Sequence, residues 1–143
     1  MAKFLTSLRV EEVSSEGRGT WQLLNLLAYK SDLLDYTLVA PSGFITDFAS
    51  VPRIPVAFLL VGCMAHRAAV IHDWLYTSHE VDRATADKIF KEAALLDGAA
   101  EWRSLVFWAG VRIGGGNSWN SDSRRERQPE YVKHNFKENS DEA

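Results

Sequence analysis

The chain has 143 residues, 46% hydrophobic and 24% charged, enough apolar content for one domain with its own core and against global disorder. A net charge of −3 argues against a duplex-binding protein, which is usually basic. One cysteine, Cys63, excludes an internal disulfide and fits folding in a reducing cytosol.

The longest apolar run, residues 54–64, is broken by Pro55 and Gly62. It is shorter than the roughly 20 residues a membrane span needs, so no transmembrane segment is expected. The first residues lack an apolar stretch of signal-peptide length, and no signal peptide is expected.

Lys3 to Val13 reads as a weak strand, followed by a turn over Ser14 to Gly19. Trp21 to Tyr29 is mostly apolar and reads as one strand opened by Gly19-Thr20 and closed by Ser31-Asp32. Leu34–Ala40 and Phe44–Phe48 flank Pro41-Ser42-Gly43, which is turn chemistry, and predict a hairpin.

Helical spacing begins at Ala65. Ala65, Ala68, Ala69, His72, Leu75 and Tyr76 form one stripe at i, i+3, i+4, i+7. Asp82 is placed to cap a second helix, with Ala86, Ile89, Phe90, Ala93 and Leu96 as its stripe and Gly98 as its stop. A third helix is expected from Glu101 to Ile113, ending at Gly114-Gly115-Gly116, with Leu105, Trp108, Ala109 and Arg112 along one face.

The fold class this predicts is α+β, a small antiparallel N-terminal sheet packed on three helices. Residues 1–116 form the domain. Residues 117–143 are rich in Ser, Asn, Arg, Glu and Lys and are expected to be an extended or disordered tail. Trp119, Tyr131, Val132 and Phe136 are its apolar anchors, a pattern suited to docking on a neighbouring chain.

Two segments could carry chemistry. In Ile71-His72-Asp73-Trp74-Leu75-Tyr76, His72 faces the core or a pocket, and Tyr76 lies one turn on. Asp73 is rotated about 100° from His72 and aims elsewhere, at a cation for example. Asp87 borders the apolar stripe of the next helix. In an antiparallel helix pair it would reach His72 within about 2.6–3.2 Å and orient its ring. A base held by a carboxylate, beside a metal-binding carboxylate, can activate water. The plainer reading makes His72 a hydrogen-bonded core residue and Asp87 a solvated partner of Arg83 and Lys91.

The other segment is Thr46-Asp47-Phe48-Ala49-Ser50-Val51-Pro52-Arg53. Asp47 there can supply a metal oxygen or pair with Arg53, or the segment is a structural turn satisfied by its own side chains. His66, His72 and His79 lack the i, i+4 spacing of a helical zinc site. Ser42 and Ser50 lack a nucleophile-elbow context, and Gly114–Gly116 lacks the lysine and following helix of a phosphate loop.

The run Ser42 to Arg53, the Ala68–Tyr76 helix with His-Asp-x-Leu-Tyr, and Arg83–Phe90 with Ala-Asp-x-x-Phe together resemble a phage and prophage domain family of unknown function. A final helix over Trp102–Gly114 resembles that family as well, and the likeness covers about residues 20–119. It implies a virion or tail protein, made in the host cytoplasm and assembled into the particle beside other virion proteins, oligomeric there, with no direct contact to nucleic acid and no cofactor. It equally admits a non-virion factor that helps assemble the tail.

The same helix pair is similar to the core of His-Asp phospholipases, especially the parvoviral capsid type. That similarity implies a hydrolase acting on lipid or cell envelope, with His72 as general base, Asp87 orienting it beside Tyr76, and Asp73 as a calcium ligand. The glycine-rich calcium loop those enzymes place before the helix has no counterpart here.

Overall fold

A computed structural model describes residues 1–16, 19–48 and 65–134. Six strands come first: β1 Lys3–Phe4, β2 Val10–Ser14, β3 Thr20–Leu23, β4 Leu27–Lys30, β5 Thr37–Ala40 and β6 Ile45–Thr46. Three main helices follow: α1 His66–Ser78, α2 Arg83–Leu96 and α3 Glu101–Gly114. Two short ones, α4 Gly116–Asn120 and α5 Ser123–Glu126, precede a helical turn at residues 130–134. The fold is α+β, as the sequence implied.

The expected single sheet is two antiparallel three-stranded sheets, ordered β1-β4-β5 and β2-β3-β6. The apolar run from Trp21 to Tyr29 is not one strand, because the chain leaves the first pairing at Leu24 and enters the other sheet at Leu27. The Asn25 amide donates to the carbonyls of Ser7 and Leu26, a side-chain alternative to ladder pairing. The same crossing undoes the expected hairpin. Gly43 takes φ 86° and Phe44 N–H reaches Pro41 O at 3.2 Å, so the turn forms. It passes the chain from β5, paired with β4, to β6, paired with β3.

α2 follows its sequence signals, whereas α3 buries Ser104, Phe107 and Val111 and leaves Leu105 of the expected face exposed. The Asp82 carboxylate accepts from Thr85 N–H at 3.1 Å and caps α2. Gly98, at φ 94°, ends it with Ala99 N–H bonded back to Ala94 O, a Schellman-type stop. Asp97 at that end accepts from Ala68 N–H and Arg67 Nε at the start of α1, which fastens the two helices antiparallel. α1 is buried without a break from Ala68 to Thr77, so it is the central helix rather than one with a single apolar stripe. Among the described residues no helix is long and apolar enough to cross a membrane.

The described part of the expected tail, residues 117–134, is not extended. It turns back over α1 and β6 and packs on its own domain. Val132 is fully buried, and Arg124 and Gln128 nearly so. Gln128 accepts from Ile45 N–H and donates to Ile45 O, standing in for a strand beside β6. The reason lies in charge: its arginines meet carboxylates inside the domain, which composition alone represents as solvated residues. Arg53, Phe136 and Cys63 lie outside the described residues.

Candidate functional site

α1, α2 and α3 bring one polar network into the core. His72 and Tyr76, one turn apart on α1, both meet Asp87 of α2. His72 Nε2 lies 2.9 Å from Asp87 Oδ1, and the Tyr76 hydroxyl donates to the same oxygen at 2.6 Å. Asp87 Oδ2 accepts from Arg112 of α3 at 2.9 Å. Arg83 stands 3.9 Å from that carboxylate, donates through Nε to the Tyr76 oxygen, and binds the carbonyls of Val111 and Arg112. It thereby satisfies carbonyls at the end of α3. The pairing expected from the two stripes is present. The alternative that made Asp87 a solvated residue is not, since its side chain has no exposure.

Because Asp87 accepts at Nε2, the proton of a neutral His72 sits there. The other ring nitrogen, Nδ1, is buried and has no hydrogen-bond partner among the described residues. The rings of Tyr76 and Phe90 lie 4.1 and 4.6 Å from the imidazole. Burial pushes the His72 pKa below that of a free imidazole, although Asp87 pulls the other way. Burial alone would raise the Asp87 pKa, but hydrogen bonds from His72, Tyr76 and Arg112 outweigh it and hold the carboxyl below its usual range. Burial and the bond to Asp87 raise the Tyr76 phenol. At neutral pH the network is therefore neutral imidazole, carboxylate, phenol and guanidinium.

These shifts set a pH dependence. A histidine with a depressed folded pKa contributes stability that is complete above the unfolded value of about 6.5 and is lost as pH falls below it. Unfolding free energy, measured by urea titration, is expected to decline between about pH 7 and pH 5. His72→Gln should flatten that decline. His79, whose pKa burial also lowers, supplies what remains. A slope unchanged by the substitution would contradict the burial of a neutral His72.

Asp73 points away from His72, as helical rotation requires, but it does not face solvent or an open cation site. Its carboxylate accepts from Thr46 Oγ1 at 2.5 Å and is paired with Arg124. Arg124 also donates to Ser118 Oγ and lies over the Tyr76 ring. Asp47 pairs with Arg127 at 3.3 Å, and its proposed pairing with Arg53 falls outside the described residues. The two carboxylates assigned to a metal are thus each matched to an arginine. Among the described residues no group of three or more His, Cys, Asp or Glu could hold a metal ion. This donor set does not fit calcium.

The anchors of the C-terminal segment close the arrangement. Trp119 stacks on His79 with ring centres 3.9 Å apart and meets Tyr76 edge-on at 5.0 Å. Tyr131, 56% exposed, sets its hydroxyl against Gly43 so closely that a Cβ there would collide. Sequence reasoning named Arg83 as a partner of Asp87 but placed the pair in solvent, and it missed the pairing of Arg112 with Asp87 and of Arg124 with Asp73. Arg112 carried a signal, a charge on an otherwise apolar helix face, whereas Arg124 carried none.

A family model described as "Protein of unknown function (DUF1353)" matches residues 21–111, more than half of the chain. It spans α1, α2 and most of α3, and stops short of Arg112 and Arg124. No curated protein and no solved structure matches.

Proposed function

Since the chain belongs to the DUF1353 family, whose function is unknown, we propose its function from its own geometry and motifs: an accessory virion protein of a bacteriophage, in the tail or its attachment region, that works by docking on neighbouring subunits. The phage assignment rests on the sequence resemblance. The docking assignment rests on α3, whose outer face leaves Trp102 51%, Leu105 50% and Ile113 87% exposed. Such a contiguous apolar face on a folded domain marks an interaction site. In this reading the His72–Asp87 network is a structural keystone. His72 and Asp87 have no exposed side-chain surface, and the carboxylates around them are already matched by guanidinium groups.

Mass spectrometry of purified particles tests the reading. The protein should be recovered with the tail proteins in stoichiometric amount. Its absence from particles, with tails failing to form when it is deleted, would make it an assembly factor instead.

A second reading, a His-Asp hydrolase, has one observation in its favour. Nδ1 of His72 is the atom a general base would use, and it is without a hydrogen-bond partner among the described residues. In that chemistry Nδ1 takes a proton from water, the hydroxide attacks an ester carbonyl, and the departing alcohol receives the proton. No step runs through calcium, for which the residues are unsuited.

A further inference from the structure

The Asp87 carboxylate is shared by two guanidinium groups and balances only one of their charges. Arg112 donates to Oδ2 at 2.9 Å, and Arg83 stands 3.9 Å from the same oxygen, so the two groups are neighbours. His72 is neutral and Tyr76 keeps its phenol proton, so neither adds a negative charge. No other described carboxylate pairs with either arginine. The helix-end carbonyls that Arg83 binds carry partial charge only. A surplus of positive charge is left where cover is incomplete: the Arg83 side chain is 24% exposed and that of Arg112 36%.

Donors are left over as well. Arg83 spends Nε on the Tyr76 hydroxyl and Nη2 on the carbonyls of Val111 and Arg112. These bonds fix the guanidinium plane, and Nη1 makes none among the described residues. Arg112 spends Nη1 on Asp87 and leaves Nε and Nη2 in the same position. The chain beside Arg83 is glycine. A Cβ added at Gly115 would come within 2.6 Å of the Tyr76 hydroxyl, so the backbone lies close on the network. A Cβ added at Gly116 would sit 3.6 Å from Arg83 Nη1, an ordinary contact, so this glycine leaves open the space a side chain would fill in front of that nitrogen.

We propose that Arg83 Nη1 and the unused edge of Arg112 form a binding site, beside Gly116, for a phosphoryl oxyanion: free phosphate or the terminal phosphate of a small monoester. A guanidinium fork matches the oxygens of phosphate and carboxylate alike, but two forks brought from two helices discriminate. A carboxylate has two coplanar oxygens and satisfies one fork. A phosphate group presents three oxygens on a tetrahedron and satisfies both. Arg83 is already held by Tyr76 and the end of α3, so binding costs it little side-chain freedom. The site stands independently of the docking reading.

Calorimetric titration of the full chain with sodium phosphate tests the site, at low ionic strength where screening is weak. Saturable binding with a Kd of about 1 mM is expected, and acetate should bind about tenfold more weakly. Gly116→Glu places a carboxylate beside Arg83 Nη1 from a position with room for the Cβ. It should weaken phosphate binding by about tenfold and leave the thermal midpoint at or above that of the wild type. Thr37→Glu adds the same charge at an exposed position on β5 and should change the affinity by less than about twofold. Arg112→Lys keeps a charged donor for Asp87 but loses the fork, and it should also weaken phosphate by about tenfold, which keeps the test decisive if Gly116→Glu does not fold. Glycerol phosphate is titrated alongside: binding like that of phosphate assigns the site to a monoester, and no binding assigns it to the free ion.

No saturable phosphate binding by the wild type would overturn the proposal, and so would acetate binding as tightly as phosphate. Equal losses in Gly116→Glu and Thr37→Glu would mean general charge attraction and overturn it too. An affinity unchanged in folded Gly116→Glu or in Arg112→Lys would put the anion elsewhere on the chain, with the same consequence.

Discussion

Asp87→Ala is expected to lower the unfolding free energy by about 3–5 kcal/mol, the usual cost of removing one partner from a buried ion pair. The carboxylate is the common acceptor for His72, Tyr76 and Arg112. Its removal leaves a buried imidazole N–H and a buried phenol without an acceptor, and two guanidinium groups, on Arg83 and Arg112, without a counter-charge. Each unmet buried donor costs about 1–3 kcal/mol on its own, so the sum is large even if part of the site rehydrates. Chemical denaturation at neutral pH measures it. A loss below about 1 kcal/mol, the range of an exposed ion pair, would show that the network does not hold the three helices together.

Arg124→Ala should be comparably damaging and should act on a different part of the molecule. Asp73 would be left in a nearly dry site with Thr46 as its one remaining side-chain donor among the described residues, again at about 3–5 kcal/mol. The substitution also removes the guanidinium from the Tyr76 face and from Ser118. Hydrogen exchange should quicken first at residues 116–134, because the buried Arg124–Asp73 pair is one of the ties between that segment and α1, beside the Arg125 bond to the Thr77 carbonyl. The double variant Asp73→Leu, Arg124→Met should recover much of the loss, since apolar replacement of a buried pair is often neutral. If Arg124→Ala changes neither stability nor exchange, the segment is a loose terminus after all.

These two sites divide what the sequence could reveal from what it could not. The His72–Asp87 contact was legible because both helices carry apolar stripes, the second with a clear cap at Asp82, and His72 on one stripe faces Asp87 at the border of the other. Arg124 was not legible. It sits in a stretch of mixed charge and few apolar residues, and only the structure reveals the carboxylate at Asp73 that draws it inward. The sheets were half legible. Turn chemistry at Pro41–Gly43 was correctly read, yet the unbroken apolar run from Trp21 to Tyr29 conceals the point where the chain changes sheets, because the break is made by the Asn25 side chain rather than by a glycine or proline. α1 looked amphipathic in sequence because His72, Asp73 and Thr77 are polar. Each is buried with its partner.

The central claim is that His72 belongs to a structural keystone and not to a catalytic centre, and one pair of proteins tests it. Fatty-acid release from anionic phospholipid vesicles is measured for the wild-type chain and for His72→Ala, with and without added calcium, alongside the stability of each. Loss of the imidazole should destabilise the fold by removing the Asp87 contact and opening a cavity between Tyr76 and Phe90. The keystone account predicts a less stable variant and no release above the protein-free blank from either protein. Release by the wild type that falls by about 10²–10⁴ in the variant, the usual cost of losing a general base, would contradict it and make the hydrolase the function of this fold.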